Sequence, residues 1–219
     1  MVLFARPGRR RFLALSLAVF AAPGAIAAPP AAGLPELEDQ ARVGRARAYL
    51  MGLVNAMGRF TQTDAQGHIT IGMVYLKRPG RARFEYDPPS GLVVAANGAR
   101  VAVLNRRLGT LDAYPLAATP LGVLLSRDIR IDKGVEIGGV TVRPGGFAII
   151  AHAAGKRGEG QISLDFSDTP LALTGWDITD AQGAVTKVRL SDFGPSKAMP
   201  NAFFELARPG GPAGGSSSP

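Results

Sequence analysis

Few residues in this chain have the type and spacing to do chemistry. The stretch KRPGRARFEY, Lys77 to Tyr86, gathers four cationic side chains (Lys77, Arg78, Arg81, Arg83) with a proline, a glycine and two aromatics. Such a run fits a nucleic-acid grip, a solvated corner between strands, or one part of a larger assembly. Asp165, Asp168, Asp177 and Asp180 are of the type that paired acid–base work requires. Each falls in or beside an expected turn, where aspartate is favoured for local hydrogen bonds, so that local role is preferred. His68 and His152 are the only histidines and there is no cysteine, which nearly excludes a zinc or haem site. No serine stands in a nucleophile elbow, and the glycine clusters lack phosphate-loop spacing. The residues point away from an enzyme and call for no cofactor and no metal.

The ends of the chain change the charge argument. Arg6, Arg9, Arg10 and Arg11 precede an apolar stretch, Phe12 to Phe20, and Ala25 and Ala27 suit a small-residue cleavage site. Residues 1–27 read as a cleaved signal peptide, cut after Ala27. Arg9-Arg10 with Phe12-Leu13 behind also resembles a twin-arginine signal, so both export routes stay open. Four of the 25 basic residues and none of the 17 acidic ones lie in this segment, so 21 basic face 17 acidic in the remainder, a net of +4 rather than +8. That mild charge, on an exported chain, argues against nucleic acid. Without cysteine, no lipid can be attached at the mature N-terminus. The reading is a soluble, periplasmic, monomeric protein. Residues 28–35 form a linker, 36–209 one domain, and the Gly/Ser/Pro-rich 210–219 a disordered tail.

The elements that must position these residues come mostly from β-patterns. Glu36 to Met57 carries the one long helical signal, with Ala46, Leu50, Leu53, Val54 and Met57 at helical spacing. Thr119-Pro120 looks like the start of a short helix over Pro120–Ser126. Ten or eleven strands are expected elsewhere, separated by regularly spaced turns, as in an antiparallel meander. Between Ser126 and Gly146, IRIDKGVEIG and VTVRP read as two separate strands. In LVVAA, VAVL and FAIIA both faces are apolar, as in a two-sided core. With only one long helix to cover it, the sheet either curls around that helix or lines a cavity with one face.

The motifs in order resemble a known family. The first helix, GRFTQ, GMVYLKRPGRARFEY, VVAANGARV, TPLGVLL, LTGWDITDAQGAVTKVRLSDF and MPNAFFELARP together resemble the periplasmic outer-membrane lipoprotein carriers, the LolA-like proteins, from Arg42 to Pro209. The resemblance implies a mainly β fold, an unclosed antiparallel β-barrel whose helices form a lid over an aliphatic cavity. It implies acylated lipoproteins as cargo, an inner-membrane release complex as loader and an outer-membrane acceptor. It also implies that Arg78 of the KRP motif latches the lid by hydrogen bonds to helix backbone. Lys77, Arg81 and Arg83 are expected to point to water. One position departs from the pattern: Ala82 stands where family members commonly carry an aromatic.

On that frame the acyl-chain pocket is expected from Leu50, Leu53, Met57, Phe84, Val93, Val103, Leu121, Leu124, Ile149 and Phe166. A one-residue slip in strand parity sends a side chain to the other face. Two other readings remain open on sequence: a same-fold carrier of another lipid or glycolipid, and a non-transporting periplasmic sensor or interaction module.

Overall fold

The structure, a computed structural model, describes residues 34–119, 121–126, 135–155, 158 and 160–207. The proposed signal peptide, most of the linker, Pro120 and the tail lie outside the described residues. Helix α1 spans Leu34–Gly52, and α2 is the single short helix Leu121–Leu125. The strands are β1 Asn55–Thr63, β2 Ile69–Lys77, β3 Arg81–Tyr86, β4 Leu92–Asn97, β5 Arg100–Asn105, β6 Thr110–Pro115, β7 Val135–Arg143, β8 Gly146–Ala153, β9 Gly160–Asp168, β10 Leu171–Asp180 and β11 Val185–Pro195. They form one antiparallel 11-stranded sheet in the order β6-β5-β4-β3-β2-β1-β11-β10-β9-β8-β7. Two meander arms are thus joined by the pairing of β1 with β11, and β6 and β7 are left as edges.

Two boundaries differ from expectation. The first helix ends at Gly52, and Met57 lies in β1 opposite Tyr75 of β2. Gly52 is a weak helix residue, and the ladder from Asn55–Lys77 onward offers the backbone better partners than another helical turn. The two strands expected before Pro144 are one, β7, with a register shift between Ile137 and Gly139. The Gly138-Gly139 pair that looked like a break accommodates a β-bulge. Residues 129–134 of that stretch are outside the described ones.

The sheet coils tightly, and two glycines show how tightly. A Cβ on Gly72 would lie 2.2 Å from the Glu85 carbonyl oxygen, and one on Gly175 2.3 Å from that of Val188. Side chains of the concave face follow from the register. Val74, Phe84, Val94 and Val103 form one cross-strand row, and Leu76, Ala82, Ala96 and Val101 the next. Phe60 meets Phe84 edge-on at 5.6 Å, and Phe84 meets Trp176 at 6.1 Å. Ala46 and Leu50 of α1, with Leu121, Val123, Leu124 and Leu125 of α2, complete this core. Tyr49 reaches across to Phe166, with ring centroids 6.2 Å apart.

The opposite face of β2–β5 is covered by a different element. The segment after β11 turns through a 3-10 turn, Asn201–Phe204, and packs on β3 and β4. Phe204 is 1% exposed, and Phe203 lies edge-on to Tyr75 at 5.0 Å. Val93 and Ala95 share this face with Arg83 and Tyr75. The doubly apolar strand LVVAA therefore has the helices on one side and the C-terminal segment on the other, a cover the sequence reading did not assign.

Candidate functional site

The site is built at the corner between β2 and β3. Pro79 and Gly80 (φ +82°) turn the chain there, and proline has no N–H to lose from the ladder. The corner is tied through the main chain to the link after α1 and to the end of α2. The Arg78 amide donates to the Val54 carbonyl at 2.8 Å, and the Gly80 amide to the Leu125 carbonyl at 2.8 Å.

Arg78 itself turns inward and is 8% exposed. Its Nη1 donates to the Leu50 carbonyl, and its Nη2 donates to the Ser126 carbonyl at 2.8 Å. Leu50 belongs to the last turn of α1, and Ser126 directly follows α2. The last carbonyls of a helix lack intrahelical donors, and a cation there also suits the helix dipole. One guanidinium thus caps the C-terminal ends of both helices. Burial pulls its pKa down, yet an arginine stays charged at any ordinary pH. Its Nε is buried without a hydrogen-bond partner. Two charge-assisted bonds, each worth about 1.5–3 kcal/mol, are therefore offset by one unsatisfied donor costing about 1–3 kcal/mol.

Beneath α1 the described side chains pack closely. The gap between α1 and β7–β9, lined by Val43, Ala46, Leu50, Ile137, Ile149 and Leu164, has a volume of about 10 Å³. That is the size of a single water site. A more open cleft of about 520 Å³ lies beside α2, bounded by Pro79, Gly80, Gly98, Ala99, Leu125 and Val135.

Most of the pocket residues named from sequence come together on the concave side. Leu50, Leu53, Phe84, Leu121, Leu124, Ile149 and Phe166 all belong to the buried core cluster. Val103 shares their face by register and is half-buried. Met57 and Val93 do not join them. Met57 is 40% exposed on the convex face, because it belongs to β1 rather than α1. Val93 is buried on the convex face of β4, in the same parity as Arg83 and Glu85, on the side that the C-terminal segment covers. The slip is one residue: Val94 is the inward neighbour.

The other cations of the KRPGRARFEY run were expected in water, and the structure corrects this. Lys77 Nζ donates to the Met199 carbonyl at 2.6 Å and to Asn201 Oδ1 at 2.8 Å. Arg83 donates to the Phe203 carbonyl at 2.8 Å and lies over the Phe203 ring at 4.8 Å. Arg81 is half-buried, with its Nε enclosed. Residues of one strand alternate faces, so Arg78 holds the helices while Lys77 and Arg83 hold the C-terminal segment.

The aspartates need a second correction. Asp180 does serve a turn, its Oδ1 accepting from the Gln182 and Ala184 amides. Asp165 and Asp177 lie inside β9 and β10 instead. Arg189 bridges them, at 3.4 Å and 2.6 Å, and Arg143 meets Asp165 at 3.0 Å. Burial raises the Asp165 pKa against the pull of Arg189. This cluster braces the outer face of the sheet.

An open sheet coiled over an apolar core, with unpaired edge strands and a pair of helices fastened by one buried arginine, defines an unclosed β-barrel with a helical cover. Residues 53–207 match the family model of the outer membrane lipoprotein carrier protein LolA, and the chain belongs to that family. It is similar to the outer-membrane lipoprotein carrier protein of Leptothrix cholodnii, 26% identical over 183 residues that cover 77% of this chain and 82% of the relative. A solved LolA superfamily protein from Nitrosomonas europaea aligns over 77% of this chain and 97% of its own, at 12% identity and a TM-score of 0.47. A conserved protein from Thermus thermophilus aligns over 79% and 94%, at 14% identity and a TM-score of 0.44.

Proposed function

We propose that this protein carries lipoproteins through the periplasm, shielding their acyl chains between the concave sheet and the α1–α2 lid. Cargo passes from an inner-membrane release complex to an acceptor at the outer membrane. Leu50, Leu53, Phe84, Leu121, Leu124, Ile149 and Phe166 contact the acyl chains, and Arg78 sets the balance between closed and open lid. Burying one methylene is worth about 0.8 kcal/mol, so a sixteen-carbon chain gains on the order of 12 kcal/mol. Such a chain needs an aliphatic enclosure to cross water.

The observation that carries the reading is the Arg78 guanidinium capping both helices over an apolar core. In the cargo-free state the lid closes over the concave core, and Leu50, Leu53, Leu121 and Leu124 stay out of water. Cargo then competes against helix packing and two hydrogen bonds. The test measures loading and release separately with Arg78→Leu. The variant is expected to fold and take up lipoprotein but to pass it on poorly. Wild-type behaviour in both steps removes Arg78 from the mechanism. Mass spectrometry of the lipid that co-purifies tests the cargo class, and another lipid or a glycolipid there in place of acylated lipoprotein overturns the lipoprotein assignment.

A further inference from the structure

Leu108 is the most exposed large apolar side chain among the described residues, at 74%. It stands at the apex of the β5–β6 hairpin, and that apex is rigid. Asn105 Oδ1 accepts from the Arg107 amide at 3.0 Å and the Leu108 amide at 3.1 Å, and Gly109 takes a positive φ of +65°. Arg107 Nη1 donates to the Pro89 carbonyl at 3.4 Å, and its stem lies where a Cβ on Gly91 would come within 2.9 Å. The apex is thereby tied to the β3–β4 turn. Leu108 is held in solvent by the hydrogen bonds of its own turn.

Arg106 and Arg107 directly precede it, both exposed, and among the described residues neither forms an ion pair. By register the turns at 64–68, 87–91 and 106–109 share one end of the β1–β6 arm, away from the Arg78 corner. The carboxylates of the first two turns are engaged: Asp64 with His68, and Asp87 with Arg59. Among the described residues, neither carboxylate forms an ion pair with the apex arginines. Ile69, 67% exposed, begins β2 at the same end.

One exposed leucine is ordinary on any protein. A leucine fixed at a hydrogen-bonded apex directly after two exposed arginines matches a different surface. Guanidiniums pair with lipid phosphates while the apolar tip enters the headgroup boundary. We propose that the β5–β6 hairpin tip docks on the surface of an anionic phospholipid bilayer, with Leu108 inserted and Arg106 and Arg107 on the headgroups. This goes beyond the carrier reading and needs no cargo.

The chain has no cysteine, so Leu108→Cys gives a unique attachment point for an environment-sensitive fluorophore. Gln182→Cys, on the exposed β10–β11 turn, is the control. With vesicles of phosphatidylethanolamine and phosphatidylglycerol, emission at position 108 is expected to rise several-fold and at 182 to stay flat. Pure phosphatidylcholine vesicles should give little rise. Adding Arg106→Ser should weaken partitioning roughly five-fold. In flotation, Leu108→Glu should reduce recovery with vesicles relative to the unaltered protein. Equal responses at 108 and 182, or a rise indifferent to lipid charge, overturns the proposal. Acyl-chain uptake is measured on the same samples. A flat signal with normal uptake counts against the docking tip alone, and a strong signal without uptake against the carrier reading alone.

Discussion

Arg78 Nη2 donates to the Ser126 carbonyl at 2.8 Å, across 48 residues of sequence. The bond joins a strand corner to the end of a one-turn helix that has little means of holding itself. The same guanidinium reaches Leu50 at the end of α1. The two lid helices are therefore coupled through one side chain.

Replacing Arg78 by lysine should loosen the lid without unfolding the protein. An ammonium is a single point donor and cannot span both carbonyls in the planar fork. Losing one charge-assisted bond is worth about 2 kcal/mol, or roughly a 30-fold shift toward the open lid. Hydrogen exchange should show this as faster amides at 50–53 and 121–126, with strand amides unchanged. Uniformly faster exchange would mean that Arg78 supports the whole fold instead.

Phe204→Ala should be strongly destabilising, although it lies beyond the last strand. The ring is fully enclosed on the convex face, and truncating such an aromatic costs about 3–5 kcal/mol. Lys77→Met removes only the two anchors at Met199 and Asn201 and should cost less, about 1–2 kcal/mol. Urea midpoints for the two variants check the order. If the order inverts, the ion–carbonyl anchors rather than the buried ring hold the C-terminal segment.

Ala82→Phe tests the position where an aromatic was expected. Ala82 is fully buried between Leu76 and Ala96 on the concave face. A ring there overpacks the closed interior, at about 1–3 kcal/mol. The variant should melt lower and take up acyl chains more readily, because the ring props the lid. A lower melting temperature with unchanged uptake would confine the effect to packing.

Tyr86 supplies a pH dependence. Its hydroxyl donates to Gln62 Oε1 at 2.7 Å, and burial pushes its pKa up to about 12. In the unfolded chain a tyrosine titrates near 10. The folded state therefore holds the proton more tightly. Its contribution is fully present below pH ~10 and is lost as pH rises toward 12, by about 2–3 kcal/mol. Tyr86→Phe should flatten the stability profile in that window relative to the parent, as followed by denaturation at fixed pH steps. An unchanged alkaline slope would place the ionising group elsewhere.

The sequence by itself determined the strands, because a strand is marked locally, by β-branched runs between turn residues. The antiparallel meander and its approximate strand count were legible for that reason, while the open β-barrel class and Arg78 came from the family resemblance of the ordered motifs. Tertiary structure decided what depends on partners. Helix α1 stops at Gly52 rather than Met57 because β2 offers Asn55 a ladder, which no helical period encodes. Val93 and Val94 look alike in sequence, and only the register of β4 sends the second inward and leaves the first on the side the C-terminal segment covers. Lys77 and Arg83 read as solvated because the carbonyls they bind, at Met199 and Phe203, carry no side-chain signature. Asp165 read as a turn residue because its partners, Arg143 and Arg189, come from distant strands. Cross-strand position and backbone acceptors are properties of the folded sheet, and they settle which face each residue serves.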